Sequence, residues 1–359
     1  MTIQIGRRLA FARKRLGLSL KALAEEVSLN TGASIAAQLI NTYEKGTAVP
    51  SEKVFPELLK ALKIDEDFLF KAPDVAIEKI DFRKTYRITK SKKDMLEAKI
   101  QEIIEFVASK NEYKNKFKIK YSNDPRQNEA MILKAVEHFK KELNLNLEDP
   151  VKSTIKVAWD LNLNTWNIKP DKEETSLPDN VFGFNAEYHL KTHDDENNQV
   201  KNNIIIINDN SDISLERKRF TLMHEIAHGV LELDDSNDNF SEKYAEKICN
   251  LFASEFLIPS QKVREFFKKN AINKNTIIEF KKIYGISGSA VIYKLSQLNI
   301  INENAARWMY MSFAKTWRKN EPDAISSEDW EIKPEKMIQL AQESFENNKI
   351  DKVFLELIT

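Results

Sequence analysis

Eight glycines and ten prolines in 359 residues are too few for a chain built on turns. At roughly 2% and 3%, against usual values of about 7% and 5%, they exclude collagen-like, low-complexity and turn-dense all-β architectures and predict a mainly helical chain. Hydrophobic residues at 42% and charged residues at 31% give material for a core beneath a heavily solvated surface. The length predicts two or three domains.

Fifty-five basic and fifty-five acidic residues cancel overall, but their spread is uneven. Residues 1–63 hold ten Lys/Arg against five acids, a local excess of +5. A single cysteine, Cys249, leaves no intramolecular disulfide to form, and the opening MTIQIGRRLAFARKRLG lacks the apolar run of a secretory signal; a reducing cytoplasm is expected. No stretch approaches the roughly 18–20 apolar residues of a membrane span, since NIIIIN (203–208) is short and flanked by polar residues.

Apolar residues at Ile5, Leu9, Ala12 and Leu16 predict a helix over about 3–16, ended by Gly17. Ser19 caps a second helix carrying Leu20, Leu23, Ala24 and Val27. A polar stretch, SLNTGAS, then leads to a third with Ile35, Leu39, Ile40 and Tyr43, stopped at Gly46. With FPELLKALKI and DEDFLF this makes four or five short helices, too small for an enzyme cavity but sufficient for a binding module.

From 74 to 150 the pattern is helical and charged, as expected of a connector and supporting layer. Between 155 and 208 the period changes. TWNIK, VFGFNAEYHL and NIIIIN, separated by Pro178-Asp179-Asn180 and the polar segment KTHDDENNQVKN, predict a small sheet of about three strands. After 212 helices return. Residues 301–359 carry no pattern that points to chemistry.

The most informative residues are His224-Glu225-Ile226-Ala227-His228. On a helix, positions i and i+4 share a face, so two imidazoles can grip one metal ion while the intervening glutamate reaches a water on it. Zinc held by two His and one carboxylate keeps a fourth position for water and lowers its pKa towards about 7. Glu225 is the candidate general base. The third ligand is sought in SEKYAEKICNLFASEFLIP, which offers Glu242, Glu246 and Glu255. Glu246, 18 residues after His228, leaves room for a loop and a returning helix and is preferred, with Asn250 as its supporting neighbour and Glu242 as runner-up. Asp234, Asp235 and Asp238 read as solvated turn residues, Cys249 as a buried thiol, and His138, His189 and His193 as structural or solvent-facing.

The stretch IGRRLAFARKRLGLSLKALAEEV, followed by LINTYEKGTAVPS and ALKIDEDFLF, resembles the XRE (lambda repressor-like) helix-turn-helix. Between Val27 and Glu44 it is about six residues longer than the usual pattern. That resemblance implies that Gln38, Asn41 and Thr42 face DNA, and two-fold symmetric half-sites make a homodimer the expectation.

Residues 128–300 resemble the ImmA/IrrE metallopeptidases, bacterial and phage proteins that cleave XRE-type repressors. The shared text is LNLNLEDPV, Phe182-Gly183-Phe184, the strand IIIIN, Glu216 to Leu222 running into HEIAH, Ala245-Glu246 to Ala253, and Leu257-Ile258-Pro259. The resemblance implies His224, His228 and Glu246 as zinc ligands and Glu225 as catalytic base. It also implies a protein substrate of the XRE-repressor or antitoxin type in a stress, phage or mobile-element locus.

The expected architecture is α+β and predominantly helical. A helix-turn-helix bundle (1–72) and a helical connector (73–127) precede a minigluzincin-type zinc peptidase domain (128–265). A helix-turn-helix-like segment (266–302) and a helical tail (303–359) complete it. A rival from another class is an XRE-family repressor whose peptidase-like domain serves only for sensing or protein binding.

Overall fold

In a computed structural model the described residues are 3–70, 81–82, 89–107, 116–168, 182–191, 199–233, 241–317, 320–327, 330, 335–347 and 349–358. Pro178-Asp179-Asn180, His193, Asp234, Asp235 and Asp238 lie outside them, and of His189 only the backbone is placed. The architecture is α+β and mainly helical.

The chain begins with five helices: α1 (Ile3–Arg15), α2 (Leu20–Thr31), α3 (Ala37–Glu44), α4 (Phe55–Leu62) and α5 (Glu66–Phe70). Their apolar faces close over a core containing Leu9, Leu23, Val27, Ile40, Tyr43 and Leu62. The polar stretch expected to be a loop is in part helix. Ser28 and Thr31 turn their hydroxyls back onto the carbonyls of Ala24 and Val27, and α2 stops only at Gly32, whose φ of 68° suits a residue without Cβ. α2 thus runs one turn beyond Val27, and α3 starts at Ala37, after Ile35. Arg13 forks onto both carboxylate oxygens of Glu44 at 2.6 and 2.9 Å, tying the end of α3 to α1.

Next come β1 (Asp81–Phe82), α6 (Lys90–Val107), β2 (Phe117–Ile119), α7 (Pro125–Glu142), α8 (Thr154–Asp160), β3 (Asn164–Ile168), β4 (Gly183–Lys191) and β5 (Gln199–Asn208). The main sheet has four strands in the order β1-β4-β5-β3. β4 is antiparallel to β5, and β3 is parallel to it. The expected three strands are its body. The hairpin of β4 and β5 extends to Lys191 opposite Gln199, into residues read as loop because their side chains do not alternate in hydropathy. β1, β2 and β6 (Leu231–Leu233) were missed because two or three residues are too few to show a period; β2 and β6 form a separate parallel pair.

β5 faces two cores at once. Ile205 and Ile207 pack with Leu222, Met223 and Ile226, whereas Ile204 and Ile206 pack with Trp166, Phe184, Leu96, Ile100 and, from the tail, Met337 and Phe354. A strand buried on both sides reads as an unbroken apolar run, as IIIIN does.

The remaining elements are α9 (Leu215–Val230), α10 (Glu242–Leu257), α11 (Ser260–Lys269), α12 (Lys274–Tyr284), α13 (Gly288–Gln297), α14 (Glu303–Met309), a π-helical turn (Tyr310–Ala314), α15 (Lys315–Trp317), α16 (Glu335–Glu346) and α17 (Lys352–Ile358). The tail is integral to the fold. Lys281 is fully buried with Glu216 at 2.9 Å and donates to the carbonyls of Pro322 and Asp323. Trp330 lies under the guanidinium of Arg219 and the ammonium of Lys152, 4.3 and 4.0 Å from its ring.

Candidate metal centre

The HEIAH segment lies in the C-terminal half of α9. Ser214 caps that helix, its hydroxyl accepting from the Arg217 N–H at 3.3 Å. Arg219, fully buried, donates to the carbonyls of Val151, Lys152 and Gly285 at 2.5, 2.8 and 2.9 Å. Burial pulls its guanidinium down to about 9, still charged at neutral pH, and Glu216 opposes that pull. The platform is therefore fixed to its surroundings before the site begins.

β4 lies against the same helix. A Cβ at Gly183 would come within 2.7 Å of the Thr221 Cγ2 and 2.9 Å of the Ile206 carbonyl, so the close approach needs glycine there. Two residues on, the Asn185 side chain, 2% exposed, donates to the Glu225 carbonyl at 3.4 Å.

His224 and His228 project from one face of α9 with their Nε2 atoms 3.2 Å apart. α10, capped by the Ser241 hydroxyl, brings Glu246 to both: Oε2 is 3.5 Å from His224 Nε2 and Oε1 is 3.3 Å from His228 Nε2. Among the described residues this is the one cluster of three His, Cys, Asp or Glu side chains whose ligand atoms lie within 4.8 Å of one another. Zinc bonds of about 2.0–2.2 Å in a tetrahedron place ligand atoms roughly 3.3–3.6 Å apart. The three edges of 3.2, 3.3 and 3.5 Å match one face of such a tetrahedron. Two imidazoles and a carboxylate are also a donor set that suits zinc. Glu225, buried, sits between the two histidines in sequence.

Glu242, the runner-up, is exposed at the first position of α10. Glu255 points elsewhere, accepting from the Ser260 N–H and hydroxyl and from Lys294. Asn250, expected to support Glu246, is exposed. The side chain beside the cluster is instead Cys249, buried, with Sγ 3.4 Å from His228 Nδ1. Sequence reasoning missed both Asn185 and the place of Cys249 beside His228. A lone polar residue on a strand reads as solvent-facing, and a lone thiol reads as core. His138 is half-buried against Phe117 and Phe139, 3.6 Å from Glu142 and away from the site.

Of the residues implied to face DNA, Gln38 is exposed on α3, and Asn41 and Thr42 are partly exposed. The Thr42 hydroxyl donates to the Leu39 carbonyl of its own helix at 2.7 Å.

A histidine pair on a buried helix, a carboxylate returned by the next helix and a small flanking sheet define a metallopeptidase-type domain. Residues 180–296 match the family described as the IrrE N-terminal-like domain, and residues 6–75 match a helix-turn-helix domain. The chain thus joins a helix-turn-helix domain to an IrrE-like metallopeptidase domain. It is 28% identical over 137 residues to the radiation response metalloprotease IrrE of Deinococcus radiodurans, covering 36% of this chain and 41% of that protein. Against the protein of the same name from Deinococcus deserti it is 25% identical over 137 residues, covering 36% and 48%. The match spans less than half the length of either relative. No helix among the described residues is long and apolar enough to cross a membrane.

Proposed function

We propose that this chain is a zinc-dependent endopeptidase of the cytoplasm, joined to a DNA-binding domain, that alters transcription by cutting an XRE-type repressor or antitoxin-like protein. The observation that carries the reading is the convergence of His224, His228 and Glu246 at tetrahedral spacing, with the buried Glu225 next to His224 in the sequence. These three residues hold one zinc ion per chain. Bound there, zinc supplies a Lewis acid that polarises a scissile carbonyl and acidifies water near neutral pH.

The chain's own contribution is positioning and proton transfer. Glu225 takes the proton of the attacking water and returns it to the leaving amine. Asn185 holds the backbone at that residue, and the buried setting of α9 keeps the base and the ligands in fixed relation. On the N-terminal side, Gln38, Asn41 and Thr42 on α3 meet base edges in the major groove, in a homodimer reading two half-sites. The functional units are the helix-turn-helix bundle to about residue 72, the layer to 127, the peptidase to 265, the second helix pair to 302 and the tail.

The decisive experiment incubates the zinc-loaded full chain with XRE-type proteins encoded beside it, alongside Glu225→Gln. A discrete cut made by the wild type and lost in the variant is the expected outcome. No cut by either, with regulatory output intact in Glu225→Gln, would mean that the peptidase-like domain serves for sensing or protein binding.

A further inference from the structure

The two nitrogens of the His228 imidazole meet two side chains of one helix. Nε2 faces Glu246 at 3.3 Å, and Nδ1 faces the Cys249 sulfur at 3.4 Å. Glu246 and Cys249 are three residues apart on α10 and so share a face. The ring is held edge-on between them. His224 is treated differently: its Nε2 faces the same carboxylate, but its Nδ1 is buried with no hydrogen-bond partner among the described residues.

An imidazole that binds a metal through Nε2 carries its proton on Nδ1, and whatever accepts that proton fixes the ring's tautomer and orientation. A carboxylate or carbonyl commonly fills that place. Here the side chain at Nδ1 of His228 is a thiol sulfur with no surface exposure. We propose that Cys249 is a positioning residue of the metal centre: its sulfur accepts the Nδ1–H of His228 and holds the Nε2 lone pair towards His224 and Glu246. The proposal rests on the reading of those three residues as ligands. It makes the site asymmetric, with His228 set in place before metal arrives and His224 adjusting to it.

The test is the zinc affinity of the full chain, measured by competition with a chromogenic chelator, for wild type, Cys249→Ala, Cys249→Val and Cys249→Ser. Valine is close in size to cysteine and lacks an acceptor, so it separates loss of the contact from loss of packing; melting temperatures of the metal-free proteins verify folding. The alanine and valine variants are expected to bind zinc about 10-fold or more weakly, and serine to recover most of the loss. The ¹⁵N shifts of His228 in the metal-free protein should report Nδ1–H in the wild type and a mixture of tautomers in Cys249→Val. A valine variant that matches a tightly binding wild type, in affinity and in tautomer, overturns the positioning role alone. A wild type that takes up no zinc overturns the ligand assignment, and this inference with it.

Discussion

The guanidinium of Arg15, at the end of the first helix of the N-terminal bundle, lies 2.5 Å from the carboxylate of Glu102 on α6, whose apolar face lines the far side of the sheet. Its other ion-pair partner is Asp351, from the tail, at 2.9 Å. Arg8 adds a second link, stacking on Phe68 and reaching Glu105 at 3.4 Å. The helix-turn-helix bundle is therefore docked onto the layer behind the peptidase sheet. Removing it would leave Glu102 without the Arg15 cation, so a truncation at residue 72 is expected to destabilise the layer behind the sheet.

Burial pushes the Glu102 carboxyl up to about 7, with Arg15 pulling the other way. The folded protein holds that proton more tightly than the unfolded chain, whose carboxyl titrates near 4.5. Stabilisation from this site is complete below about pH 4.5 and is lost as pH rises through about 7. Wild type should gain stability relative to Glu102→Gln as pH falls from 8 to 5.5. Urea unfolding of both proteins across that range checks it, and a constant difference would contradict it.

Glu225→Gln should retain about one zinc per chain while losing proteolysis by about 10²-fold or more. Metal content by mass spectrometry and a gel-based cleavage assay read the two properties separately. Loss of zinc together with activity would make Glu225 part of the metal's support instead of the base.

Zinc should stabilise the wild type by mass action, raising its melting temperature with zinc concentration. His228→Ala and Glu246→Ala should abolish that response, whereas Glu242→Ala should leave it unchanged. An equal effect of the two glutamate variants would shift the third ligand away from Glu246.

Selection from random duplexes should enrich a sequence whose affinity falls steeply with salt. Gln38→Ala and Asn41→Ala are expected to relax preference at individual base pairs by about 1–3 kcal/mol each. Thr42→Ala should do less, because its hydroxyl is engaged with Leu39. Salt-sensitive binding that survives all three substitutions without change in preference would place the reading surface elsewhere.

Trp330→Ala should destabilise the protein by about 3–5 kcal/mol in chemical unfolding, because the ring is 3% exposed between Arg219, Lys152 and the helix turn at Gly285. A loss below 1 kcal/mol would mean that the tail merely lies on the peptidase domain.

The legible parts of this protein are those with a period. The helices of the bundle and the i, i+4 pair His224 and His228 follow from spacing, and Glu246 from the length of the return. What escaped depends on pairings distant in sequence. Nothing local in Asn185 shows that it ends beside the Glu225 carbonyl, nor in Trp330 that two cations will cover it. The polar turn after Val27 misled for the opposite reason: Ser28 and Thr31 have weak helix propensity, yet their hydroxyls find backbone acceptors within the helix.

The isoleucines at 204–207 set a condition on how this chain can diverge. Neighbouring side chains belong to different cores, one beneath α9 and one beneath α6 and the tail. Inserting or deleting a single residue there would swap the contents of both compartments. Substitutions can accumulate on either side separately, but length changes cannot, so the peptidase sheet and the layer that carries the N-terminal bundle are bound to a common inheritance.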